Sequence, residues 1–328
     1  MKIGVYGHIG HKGARAVVAG FQAIGHKAVI RTAKYFDGET EDFGLVVVVG
    51  EHSGHKVAKA YRAIGVPVLT MDWGYFKRVN SRDEHGTGHW QVGVGGLNRL
   101  PEFACPPDRF EALGIAVAER GGNPDGYVLV CGQVPGDAAH GLGYEGYTSW
   151  LRDVLSRYPD AVYRPHPAGA PLFSYPRTDT GPLADALAGA RLVVTYNSNV
   201  GHDALLAGVP VIAEGRAAYA ELCGEELPSL ADRLAYFHRA AYGQWTAAEM
   251  ETGEPQRFWL ERLLPGAPLI EASDAGALGD GVIGEEAPAA DLAGMTVTEL
   301  RQQAGMRGVK IPAGTNKAGI IELLRGAA

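Results

Sequence analysis

Cysteine is scarce: Cys105, Cys131 and Cys223 are the only three, odd in number and far apart. That excludes a disulfide framework and a zinc knuckle, and makes a reducing cytoplasm the expected setting. No apolar run approaches the roughly 20 residues of a membrane-spanning helix, and the start MKIGVYGHIG lacks the layout of a secretion signal, so no membrane partner is expected. A GxGxxG fingerprint is missing as well. GHIGHKG at 7–13 lacks its middle spacing, which leaves a nicotinamide site unsupported. Basic charge is in deficit, with 30 Lys and Arg against 37 Asp and Glu in 328 residues and a net charge of −7. Spread evenly, that deficit would argue against nucleic acid, because phosphate binding runs on Lys and Arg. It is not even: residues 1–108 and 295–328 are each +3, while residues 109–294 carry −13. An acidic partner would therefore meet the ends of the chain. Seven of the eleven histidines also lie in the first 108 residues and add positive charge there below neutral pH.

What is present is an ordinary globular composition, 46% hydrophobic and 20% charged, in a chain long enough for two domains and an appendage. MKIGVYG, KAVIR, LVVVV and PVLTMDWG read as strands, with GARAVVAGFQAIG and HKVAKAYRAIG as helices between them. Such alternation predicts a parallel sheet covered on both faces. A less regular stretch, 74–107, ends in CPPD, a plausible boundary. A second series follows: DRFEALGIAVAERGG, YTSWLRDVLSRYP, PLADALAGA and DALLAGV as helices, and GYVLVCGQ, AVYRPHP, RLVVTYNS and PVIAEG as strands. The expected fold is α/β, with an N-terminal Rossmann-like domain over 1–108 and a second over 109–270 facing a cleft. The helical stretch from DRLAYFH to WLERLL is expected to pack outside or across it. Residues 271–294 hold six acids and no Lys or Arg, a flexible linker by composition. Residues 295–328 read as a small helix–extended loop–helix module with a capping box at Thr296 and Glu299.

In open α/β sheets, ligands bind beyond the carboxyl ends of the strands. RLVVT delivers Asn197, Ser198, Asn199, Gly201 and Asp203 to that edge, where the start of DALLAG would offer N–H groups to a phosphate. The same residues could simply cap the helix. RPHP brings Arg164, a bidentate fork for phosphate, and His166 to the same edge, and GQVPGD adds Gln133 and Asp137. In the first series His8, His11, Glu51, His52, His55 and Asp72 end up at the facing edge and are candidates for a general base. Histidine pairs three apart on turns are weak metal signals, and no metal or organic cofactor is assigned.

Taken together, RPHP and TYNSNVGHDALLAGVPVI resemble the donor domain of GT-B glycosyltransferases, especially the capsule-polysaccharide and CDP-glycerol transferase-like group. The resemblance covers roughly 162–214 and implies that Arg164, His166, Ser198, Asn199 and the turn at Gly201 and Asp203 hold the diphosphate of a nucleotide-sugar, with UDP-sugar the expected co-substrate. Asp203 stands where many members carry Glu. DWGYFKR, VGVGGLN, DRFEALG, VLVCGQVPGD and YGQWTAAEMETG resemble bacteriophage proteins of glycosyltransferase type, which implies a 5-hydroxymethylpyrimidine in DNA as acceptor. The tail is similar to LEM, SAP and Rho N-terminal modules, which implies DNA contacts through Arg301, Arg307, Lys310 and Lys317; protein docking is the alternative. A base from the first domain, His11 or Asp72 before His8 or Glu51, would deprotonate the acceptor. The competing readings are a nucleotide-sugar epimerase, a surface-polysaccharide transferase and a non-catalytic DNA-associated module.

Overall fold

The structure, a computed structural model, describes residues 1–79, 86–136, 140–167, 172–265, 300, 304, 312 and 315–326. The chain divides into two compact units, Met1–Gly281 and Val282–Ala328. In the first unit β1 (Lys2–Tyr6), β2 (Lys27–Arg31), β3 (Leu45–Val49) and β4 (Val68–Trp73) run parallel, and β5 (His89–Val94) lies antiparallel beside β4. A late strand, β10 (Gln244–Thr246), pairs with β5, giving the order β10-β5-β4-β3-β1-β2. All five residues of β3 are buried, as a strand covered on both faces must be. Helix α1 (Lys12–Ala23) covers the face that carries Ile3, Val5, Leu45, Val47 and Met71. Helix α2 (Glu51–Ala63) covers the opposite face, against Tyr6, Val46, Val48 and Val68.

The second sheet is all parallel in the order β7-β6-β8-β9, from β6 (Tyr127–Cys131), β7 (Val162–Arg164), β8 (Ala190–Thr195) and β9 (Val211–Ala213). Around it lie α3 (Asp108–Ala112), α4 (Tyr144–Arg157), α5 (Leu183–Ala188), α6 (Val200–Leu206) and α7 (Leu230–Tyr242). The two α/β halves expected from the alternation are present, the second all parallel and the first parallel over β1–β4 with β5 and β10 added antiparallel at one edge.

Three local features differ from the sequence expectation. The stretch 74–107 contains β5, where Trp90 and Val92 alternate into the core of the first half and Gly93 lies against Gly96 O and the Arg99 side chain. DRFEALGIAVAERGG is helical only over Asp108–Ala112, because the chain turns into the left-handed region at Gly114, φ +61°. Finally, β10, α8 (Ala247–Thr252) and α9 (Glu254–Phe258) return to the first half, where Trp245, Met250 and Trp259 complete the core under α1. Gly20 makes that docking possible: a Cβ there would lie 1.9 Å from Met250 O. Gln256 Nε2 donates to Met250 O at 2.9 Å and to Val17 O at 3.2 Å, joining the two helices. A capping box, Thr246 with Glu249, starts α8.

In the second unit α10 (Lys317–Gly326) begins with Asn316 Oδ1 accepting from Gly319 N at 3.0 Å. Its Ile320 and Leu324 pack with Leu300 and Ala304. The capping box expected at Thr296 and Glu299 lies outside the described residues, as do Arg301, Arg307 and Lys310; Lys317 is half-buried at the start of α10.

Candidate active site between the two sheets

The strands of the second sheet end level with one another, since Cys131 is in register with both Arg164 and Thr195. The loops after β6, β7 and β8 therefore share one edge, and Gln133, Arg164, His166, Asn197, Ser198 and Asn199 are gathered on it. Gln133 and Asn197 brace each other: Gln133 Nε2 donates to Asn197 Oδ1 and Asn197 N donates to Gln133 Oε1, each at 2.9 Å. Gln133 N also donates to Tyr147 OH, and His140 stacks on the Tyr147 ring with centroids 4.8 Å apart. Arg164 pairs with Asp179, which fixes the guanidinium in the edge, and His166 is half-buried beside it. Asp137 lies outside the described residues.

The turn into α6 is more closed than the sequence suggests. Ser198 Oγ accepts from Val200 N at 3.3 Å, Ser198 O from Gly201 N at 3.1 Å and Asn199 O from His202 N at 2.9 Å. The N–H groups expected to face a phosphate are thus engaged within the turn itself, and α6 is only seven residues long. Gly201 is required by packing: a Cβ would lie 2.0 Å from the Tyr219 ring, whose hydroxyl donates to Ser198 O at 2.6 Å. Hydrogen bonds within the turn and tight packing account for its shape.

On the facing edge, His11 is the N-cap of α1, its Nδ1 accepting from Ala14 N at 3.2 Å, and His8 Nδ1 accepts from Gly10 N at 3.1 Å. A ring whose Nδ1 accepts carries its neutral-form proton on Nε2. Both histidines therefore present a donor, not a base, in the neutral form. Asp72 accepts from Glu51 N through Oδ2 at 3.0 Å and from Trp73 N through Oδ1 at 2.8 Å. Two backbone donors orient it. Glu51, 6% exposed, is buried behind it, and desolvation pushes its carboxyl above the usual range against the opposing charges of Arg62 and His55. The His52 side chain lies outside what is described.

The two edges are fastened together. Asn199 Nδ2 donates to Gly74 O at 3.2 Å, two residues past Asp72; Arg78 lies 3.9 Å from Asp203; and Asn98 Nδ2 donates to Arg216 O at 3.3 Å. Gln244 accepts from Tyr75 N at 2.8 Å and from Phe76 N at 2.9 Å through Oε1. Tyr75 and Phe76 then pack on His202, which is fully buried and shares a 2.7 Å hydrogen bond with Tyr236. Burial first, and Arg78 second, drive the His202 pKa down to about 3. Burial raises the Asp203 carboxyl, with Arg78 opposing. Asp203 and Asn199, expected at a donor phosphate, also make contacts between the two halves.

Several contributors were missed in the sequence. Trp73, 49% exposed at the end of β4, stands next to Asp72. Glu214 after β9 accepts from Trp150 Nε1 at 2.8 Å and from Arg157 Nη2 at 2.5 Å. Gln244 lies in the motif YGQWTAAEMETG, yet nothing local marks it as a clamp 168 residues from its partner Phe76.

Two Rossmann-like halves whose strand ends face one another define a GT-B-like fold. The chain is similar in structure to Thermosulfurimonas dismutans KpsC, beta Kdo 2,4 transferase, with a TM-score of 0.52 and 18% identity over 75% of this chain and 92% of that one. It also aligns with the beta Kdo 2,7 transferase of the same KpsC, TM-score 0.44 and 15% identity, over 78% of this chain and 99% of that one. No protein family and no curated protein matches the chain. Among the described residues no helix is long and apolar enough to cross a membrane, and no group of three His, Cys, Asp or Glu is placed to hold a metal ion.

Proposed function

We propose that this chain is a GT-B glycosyltransferase that moves a sugar from a nucleotide-sugar, UDP-linked in the first instance, to a hydroxyl, with a 5-hydroxymethylpyrimidine of DNA as the preferred acceptor. The observation that carries the transferase reading is the bond from Asn199 to Gly74, which sets the edge bearing Arg164 and His166 against the edge bearing Asp72. Asp72 takes the proton of the acceptor hydroxyl as its oxygen attacks the anomeric carbon. The bond from that carbon to the phosphate oxygen breaks, and Arg164 and His166 receive the charge that develops on the leaving diphosphate. The Nε2–H groups of His8 and His11 orient substrate oxygens. Trp73 offers an exposed ring on which a flat acceptor stacks; a base inside duplex would have to be flipped out to reach it. The choice of DNA rests on the resemblance to phage transferases and on the +3 charge of both chain ends.

The test is turnover by purified protein on hydroxymethylated DNA and on sugar acceptors, with a panel of nucleotide-sugars that includes Kdo donors. Nucleotide release is expected, with added mass on the DNA. Asp72→Asn should slow release about a hundredfold or more, and Arg164→Ala or His166→Ala should abolish donor use. No release with any donor overturns the transferase; release with sugar acceptors but no mass on DNA overturns the acceptor.

A further inference from the structure

The buried polar groups of the first half are unevenly satisfied. Among the described residues three buried guanidinium nitrogens that lack a hydrogen-bond partner lie near one another, Arg62 Nε and Nη2 and Arg99 Nε, and beside them the Glu51 carboxyl and the Thr70 hydroxyl are in hydrogen-bonding contact with each other. These four meet on one face of the sheet. Glu51 and Arg62 open and close α2 at a spacing of three helical turns and so share a side of it. Thr70, fully buried on β4, is in register with Gly93 of β5, and the Arg99 side chain lies over Gly93. The charges interact: Glu51 feels Arg62, and Arg62 feels Arg99.

Leaving a buried donor unmade is costly, so three guanidinium nitrogens in one place point to an acceptor that completes them. Two guanidiniums lie near Asp72 and near Glu51, whose carboxyl burial holds toward its neutral form, and the positive excess that remains selects an anion. Arg forks and a hydroxyl are suited to an oxyanion. The location is equally specific. Asp72 is two residues beyond Thr70 on the same face of β4, about 7 Å along the strand, and Asn98, next to Arg99, reaches across to Arg216 of the second half.

We propose that Arg62, Arg99, Thr70 and Glu51 form an oxyanion site that seats a phosphate or carboxylate group of the acceptor below the hydroxyl presented to Asp72. The acceptor role rests on the transferase reading; the anion site does not. The anion takes hydrogen bonds from both guanidiniums and the threonine hydroxyl, and Glu51 turns from repelling group to donor when protonated. The groups facing Glu51 are Arg62 and His55 on α2 and Asp72 and Thr70 on β4. Burial already favours its protonated form, so binding tightens as pH falls.

The experiment is titration of the full chain with sulfate, which does not change charge between pH 5 and 8, read by thermal shift and calorimetry without donor and in the Arg164→Ala background. General salt effects are common to all variants and cancel in the comparison. Arg99→Met and Arg62→Met are expected to weaken sulfate about tenfold or more, and Glu51→Gln to keep tight binding and lose the pH dependence. Thr70→Val, a same-shape change, should weaken binding in a folded protein. Equal sulfate affinity in wild type, Arg99→Met and Thr70→Val overturns the site. Stronger displacement of sulfate by inorganic phosphate than by acetate assigns a phosphate-bearing acceptor, and the reverse assigns an acidic sugar. If sulfate binding is lost in Arg99→Met while no donor releases nucleotide, the site stands and the transferase reading falls. If the transferase is active, Arg99→Met should raise acceptor KM with a smaller effect on kcat, and an unchanged KM removes the acceptor from the site.

Discussion

Single residues in this protein show how burial rather than type sets chemistry. Glu51 looks in sequence like any helix-opening acid, but its carboxyl is raised by burial. A carboxyl whose folded pKa exceeds its unfolded one contributes stability below the unfolded value and loses it as pH rises through the folded value. Glu51→Gln should therefore raise the melting temperature at neutral pH, with the gain vanishing below about pH 4; an equal shift at every pH would contradict this. His202 has the opposite linkage. Its pKa falls from 6.5 to about 3, so the unfolded chain binds the extra proton and stability drains away as pH drops through that window. His202→Asn should flatten acid denaturation between those limits, measured by urea midpoints; an unchanged slope would show that other groups set it. Neither effect is legible in sequence, because both depend on what other elements bring against the side chain.

At the scale of elements, the strands were the most legible, since LVVVV, YVLVC and RLVVT announce burial on both faces. The turn after β8 was legible in place, with phosphate binding and helix capping both open, but its closure depends on Tyr219, from another loop. Gly201→Ala should cost about 1–3 kcal/mol through the clash with that ring, and Tyr219→Ala in the same chain should recover part of it in chemical denaturation. The far end of α6 depends on Arg233 of α7, fully buried, which donates to Leu205 O, Ala118 O, Glu119 O and Pro228 O at 2.7–3.2 Å. Arg233→Met leaves four carbonyls short of a donor and should lower stability by about 3 kcal/mol or more. A smaller loss on equilibrium unfolding would mean that water replaces the guanidinium. A lone Arg in DRLAYF carries no such signal, which is why the sequence left that helix either outside the domains or across the cleft.

At the scale of the molecule, the chain order and the spatial order part company. The residues after Gly243 belong by sequence to the second half but build β10 and the cover of α1, with Arg109 stacked 3.6 Å from the Trp245 ring and paired to Glu249 at 2.7 Å. A chain ending at Gly243 would expose Trp90, Val17 and Phe21, and should melt at lower temperature or aggregate, followed by calorimetry and light scattering. Unchanged melting would show that the return segment is dispensable. The same return carries Gln244, so the clamp on Tyr75 and Phe76 makes alignment of the two halves depend on it.

The sequence by itself determined the two α/β series and the sheet edges that carry polar loops. Periodicity and turn chemistry are local, so they survive without knowledge of partners. Only the tertiary structure decided which of those polar residues bond to which partners. Asn199 reaches Gly74, Asp203 lies by Arg78, Gln133 bonds Asn197, the Nδ1 atoms of His8 and His11 accept from nearby backbone, and Asp72 accepts from Glu51 N and Trp73 N. The reason is that a hydrogen-bonding group is committed by whatever reaches it first in space, and contacts separated by more than 100 residues leave no trace in the local pattern.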